Sequence, residues 1–236
     1  MSHIADFFHR GGFFMWPILA FGILIAGFIV ERYVALYIKH KVAPVDFRNH
    51  ILGFIAKGDF KSALAYIDMS AKETSIGKIT TVACKLRSVG AGDEALQARM
   101  DEQLSKEISS YDKRTGFLSM FGNVSTLFGL LGTVTGMISS FAGAGAATPV
   151  ERAVLLSNGI SEALNATAFG LLCAIPALVA YAIYQNRTEH IVNGLTEEAS
   201  GIYHDFLFYT ENHKNEEIDG SVLGFGKETV ANVKRN

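Results

Sequence analysis

Three stretches of this chain carry no charged side chain: Gly11 to Val30, Thr115 to Val150 and Ala163 to Asn186, of 20, 36 and 24 residues. A helix needs about 20 mostly apolar residues to cross ~30 Å of hydrocarbon, and inside lipid every backbone polar group must be satisfied within the fold. The first and third runs fit one crossing each. The second exceeds one crossing, but its end, Ala142-Gly143-Ala144-Gly145-Ala146-Ala147-Thr148-Pro149, has no bulky apolar side chain and closes on proline. It reads as a span over 116–141 and a loop over 142–158. Composition agrees: 49% of residues are hydrophobic and only 19% charged, below the quarter usual for soluble domains. The net charge of −2 argues against nucleic-acid binding, and Cys84 and Cys173 match no disulfide framework or CxxC site.

The first run, after Asp6, His9 and Arg10, is longer than a signal-peptide core of ~7–15 residues and continues into Glu31-Arg32 without a small-x-small cleavage site. It reads as a retained span over 11–31. Arg32, Lys39, Lys41, Lys106, Lys113, Arg114 and Arg187 flank span ends on one side, which the positive-inside rule makes cytoplasmic. The expected fold class is an all-α integral membrane protein with long cytoplasmic helical extensions. Its order is a periplasmic N-terminus over 1–10, a cytoplasmic insert over 32–115, a third span over 159–185, a cytoplasmic helix over 186–210 and a flexible tail over 211–236.

In the insert, Phe47, Ile51, Phe54 and Ile55, then Phe60, Leu64 and Ile67, recur at helical spacing. Lys57-Gly58-Asp59 between them reads as a helix stop followed by an N-cap. A stripe of Leu96, Met100, Leu104 and Ile108 leads toward the second span, and Ile191, Leu195, Ala199, Ile202, Phe206 and Tyr209 follow the third. No P-loop, GxSxG, HExxH or other cofactor or metal signature is present, so an enzyme is not expected.

The polar residues within the spans carry the functional question. Gly132 and Gly136 form a GxxxG with Gly129 near the same face, a spacing that lets helix backbones approach closely. Thr133 lies among them, and either bonds back to its own helix or lines a polar passage. Thr167, at ~9 Å from the outer end of its span, falls in one layer with Thr133 at ~12 Å if Phe141 and Ser161 mark the two ends. Glu162 is acidic beside apolar sequence; from position alone it serves either the positive end of a helix dipole or an ion route. Five residues of helix turn it about 140° from Thr167. Pro176 supplies a kink deeper in the span.

These spans resemble the MotA/TolQ/ExbB proton-channel family. The resemblance rests on Gly129-Leu130-Leu131-Gly132-Thr133-Val134 with Gly136-Met137, then Gly159-Ile160-Ser161-Glu162-Ala163-Leu164, Ala166-Thr167-Ala168, Gly170-Leu171 and Ala174-Ile175-Pro176-Ala177. It covers about 116–186, and the three-span layout is similar to ExbB and TolQ. It implies a homo-pentamer in the bacterial inner membrane around two copies of a single-span ExbD/TolR-like protein, coupling proton flow to work on the envelope through a TonB- or TolA-like protein. It implies an ion pathway with Glu162 as the functional carboxylate and Thr133 and Thr167 as pore-layer hydroxyls, with Gly129, Gly132, Gly136, Gly170 and Pro176 in helix packing. Asn165, an amide where the family usually has an apolar residue, joins the pathway set and leaves sodium as an alternative ion. A non-conducting membrane scaffold is the alternative from another class.

Overall fold

The computed structural model describes residues 11–38, 40–145 and 148–233, with side chains through Tyr209. All secondary structure among them is helical. The helices are α1 (Met15–Tyr33) with a π-helical turn at Val34–Ile38, α2 (Phe47–Ile55), α3 (Phe60–Ser70), α4 (Ser75–Ser88), α5 (Asp93–Asp112), α6 (Thr115–Ala144) and α7 (Pro149–Val233). The chain divides into two units, Met1–Lys39 with Tyr111–Glu189, and His40–Ser110 with His190–Asn236. Three helical stretches are long and apolar enough to cross a membrane, one in each uncharged run of the sequence.

The first unit packs α1, α6 and α7 in two different ways. Between α1 and α6 the contact is aromatic: Phe21 meets Phe121 and Phe128 at ring distances of 5.8 and 5.5 Å, and Phe28 meets Phe117 and Phe121 at 5.6 Å each. Between α6 and α7 it is backbone against backbone. Among the buried positions of α6 are Gly122, Ser125, Gly129, Gly132, Gly136 and Ser140, and those of α7 facing them are Gly159, Ala163, Ala166, Gly170, Ala174 and Ala177. A Cβ at Gly170 would lie 2.8 Å from the Ser125 carbonyl, and one at Gly132 would lie 2.6 Å from the Ala166 methyl. Only hydrogen fits there. In lipid, where apolar side chains gain nothing by leaving the solvent, such close approach supplies the dispersion contacts that hold helices together.

Helix boundaries differ from the expected ones at two places. The loop at 142–158 is far shorter, because α6 runs to Ala144 and α7 begins at Pro149. Pro149 is the first residue of the helix, where its missing N–H costs nothing. Glu151 reaches back to the helix start, its Oε2 accepting from the Thr148 amide at 3.0 Å and the Thr148 hydroxyl at 2.6 Å, one half of a capping box. The stripe from α5 into α6 is also interrupted. Arg114 stands between them at φ +69°, a left-handed conformation that few residues other than glycine adopt. Its guanidinium donates to Glu31 Oε1 at 2.7 Å, while buried Arg32 donates to the Lys113 and Tyr111 carbonyls at the end of α5. Cations at a helix C-terminus oppose the dipole and satisfy its free carbonyls.

The second unit has an ordinary side-chain core. Phe47, Ile51, Ile55, Ile67, Ile79 and Phe206 are all buried. Gly58, at φ +66°, ends the α2 segment, and Asp59 caps α3 by accepting from the Ser62 amide at 3.0 Å. Thr74 caps α4 through the Gly77 amide at 3.1 Å. The expected N-terminal segment 1–10 lies outside the described residues, while the backbone of the expected tail at 211–236 is helical, as part of α7, as far as Val233.

Candidate functional site

The glycine seam fixes which side chains of α6 and α7 lie together. Gly129 is opposite Thr167 and Gly170, Gly132 is opposite Ala166, and Gly136 is opposite Gly159 and Ala163. The two helices are antiparallel, so this register places Thr133 four residues, ~6 Å, nearer the α6–α7 turn than the level of Thr167. The expected single layer of hydroxyls is therefore corrected to two, one helical turn apart. The sequence reading sets Phe141 and Ser161 as opposite ends. Packing instead sets Gly159 against Gly136 and Ser140.

At about 100° per residue, α6 shows the seam on one side and the phenylalanines against α1 on a neighbouring side. Thr133 is on the other flank of the seam, away from α1. Thr167 occupies the corresponding flank of α7. Both are half-buried at the edge of the seam, on a face that α1 leaves open. Their protons are already used. Thr167 Oγ1 donates across the seam to the Gly129 carbonyl at 3.0 Å, and Thr133 Oγ1 donates to the Leu130 carbonyl at 2.6 Å. Each oxygen keeps its lone pairs, so the two hydroxyls act as acceptors toward the open face. Acceptors are what a hydronium, a water chain or a bare cation requires.

Glu162 lies on the opposite flank of α7, toward α1. Its carboxylate fills the space beside Gly12, where an added Cβ would fall within the Glu162 side chain. Gly12 is at φ +72° and leads into α1, so two independent constraints require glycine there. Asn165 is also turned away from the Thr flank, and none of the hydrogen bonds among the described residues involves its side chain. Within one chain the structure thus brings Thr133 and Thr167 to one face and separates Glu162 and Asn165 from them.

Gly129, Gly132, Gly136 and Gly170 all lie buried in the seam. Pro176 lies outside it, on an exposed part of α7, which continues through the proline as one helix. Sequence reasoning missed Gly12 and Gly122, and assigned no packing role to Gly159, Ala163 and Ala166. For the seam residues a signal was available: small residues recur every seven positions at 122, 129 and 136 and at 163, 170 and 177.

The model of the MotA/TolQ/ExbB proton channel family matches residues 71–197, more than half of the chain. The chain belongs to this family. Among similar proteins, the Tol-Pal system protein TolQ of Pseudomonas aeruginosa is 38% identical over 101 residues, 42% of each chain. The biopolymer transport protein ExbB of Salmonella typhimurium is 36% identical over 121 residues, 49% of each. The chain spans about half the length of these relatives or less. A putative ExbB-like biopolymer transport protein of Synechocystis aligns over 76% of this chain and 70% of its own length at 28% identity. The MotA/TolQ/ExbB match and the three apolar helices make this a multi-pass membrane protein of a channel family, not an enzyme.

Proposed function

We propose that this protein is the channel-forming subunit of a proton-driven motor in the bacterial inner membrane, of the ExbB/TolQ type. It couples the proton-motive force to mechanical work on the cell envelope. One observation carries the reading. The hydroxyls of Thr133 and Thr167 stand as acceptors on a membrane-depth face that α1 leaves open. Polar groups at that depth are costly against lipid, so the face needs protein or water over it. A ring of five copies closing around two copies of a single-span ExbD/TolR-like protein supplies both. A TonB- or TolA-like protein then takes up the work. The N-terminus is periplasmic and the C-terminus cytoplasmic, as the basic flanks require.

In this reading ions pass along the Thr133–Thr167 face, and Glu162 tunes proton entry from the α1 side. The test is ion flux in proteoliposomes containing the protein co-purified with its single-span partner. Proton flux under an imposed pH gradient, reduced in Glu162→Gln, is the expected result. Flux only under a sodium gradient would replace the ion, and no flux with either from an intact complex would leave a scaffold.

A further inference from the structure

Below Thr133 on the same flank of α6 lie two further polar residues, Thr126 and Asn123. Seven residues separate Thr126 from Thr133, which brings them to within about 20° on the helix, and Asn123 is one turn further at about 60°. All three point away from the phenylalanines that meet α1 and lie outside the glycine seam. Thr126 donates its proton to the Gly122 carbonyl at 3.2 Å, so its oxygen, like those of Thr133 and Thr167, is left as an acceptor. Asn123 is exposed, and none of the hydrogen bonds among the described residues involves its side chain. It lies eight residues into α6, ~12 Å along a helix whose nearest charge is Arg114. A primary amide at that depth, open and unbonded, is stable against water or a polar partner but not against lipid. Leu131, about 80° around the helix from Asn123 and about 140° from Thr126, is exposed on the side left for lipid.

We infer that Thr126 and Asn123 line the cytoplasmic half of the ion route, a water-accessible continuation of the Thr133–Thr167 layer that ends near the start of α6. The inference rests on the proposed channel function and adds the exit path to it. Ions leaving the Thr167 level meet Thr126 next, then the Asn123 carbonyl oxygen, before the charged residues that precede Thr115.

The test uses inverted membrane vesicles that hold the complete complex, with Cys84 and Cys173 replaced by alanine and single cysteines introduced as Asn123→Cys, Thr126→Cys or Leu131→Cys. A hydrophilic, membrane-impermeant methanethiosulfonate reagent is added from the cytoplasmic side. The expected result is modification at positions 123 and 126 but not 131, with proton flux blocked after modification. In parallel, Thr126→Val should lower flux by about tenfold while Thr126→Ser stays near the parent, since one oxygen ligand is lost in the first and kept in the second. If the parent complex conducts while positions 123 and 126 resist the reagent, or if Thr126→Val conducts normally, the exit path is wrong and the channel reading survives. If the intact parent complex does not conduct at all, both fall.

Discussion

The two units of this chain are built from the same kind of element and held together by opposite means. In the unit containing α6 and most of the apolar part of α7, the central contact is made of Gly, Ala and Ser, and stability comes from what is absent at Cβ. In the unit containing α2, α3 and α4, it comes from what is present, as Ile51, Ile67, Ile79 and Phe206 fill a core from which water is excluded. The difference follows from the solvent. Water drives large apolar side chains together, at about 25 cal/mol per Å² removed. Lipid does not, so close backbone packing and interhelical hydrogen bonds such as Thr167 to Gly129 take over. Polar residues consequently mean different things in the two places. In the second unit buried Glu107 is matched by Ser75 at 2.9 Å, Gln103 at 2.9 Å and Lys78 at 3.3 Å. On α6 and α7 the Thr oxygens are left with unused lone pairs.

This contrast can be broken most severely at Gly170. Gly170→Leu sets a side chain against the Ser125 backbone, which no rotamer relieves, and should cost at least about 3 kcal/mol. The expected outcome is loss of monodisperse protein in detergent, and a normal yield with an unchanged melting temperature would refute the seam. In the second unit the corresponding large effect comes from removing volume. Phe206→Ala should cost about 3–5 kcal/mol, read as a lowered thermal midpoint and faster proteolysis of residues 40–110. Thr74→Ala removes the cap of α4 and should cost about 1 kcal/mol, with Thr74→Ser recovering most of it in the same melts. The smallest effect is electrostatic. The Ser62 hydroxyl and amide hold the Asp59 carboxyl below the ordinary aspartate range. Its stabilising contribution is therefore complete above that range and is lost as pH falls through the lowered folded value. Asp59→Asn should flatten this part of the acid limb of the stability profile, and an identical limb would remove Asp59 from it.

The three crossings were legible because length and absence of charge are enough to define them. The Asp59 cap was legible too, since Gly-Asp before an apolar period has one common meaning. What escaped was governed by partners distant in sequence. Glycine at 159 is explained by Ser140 and Gly136, and the crowding at Gly12 by Glu162. Pro149 misled because proline both ends loops and begins helices, and Glu151 three residues after Thr148 was the clue that decided between them. Arg114 gave no warning at all: nothing local marks an arginine for positive φ, and the partner of its guanidinium, Glu31, lies 83 residues earlier. The depth of Thr133 relative to Thr167 failed for the same reason. Register belongs to a pair of helices, and the sequence of one helix does not carry it.

The central claim is that ions pass along the Thr flank of α6 and α7. The most direct measurement compares proton flux through the intact, partner-bound complex for the parent, Thr167→Val and Thr167→Ser. The account predicts that valine lowers flux by about tenfold or more at unchanged assembly, and that serine, which keeps the acceptor oxygen and the bond to Gly129, restores it. Equal flux in all three complexes would contradict the account and move the pathway elsewhere.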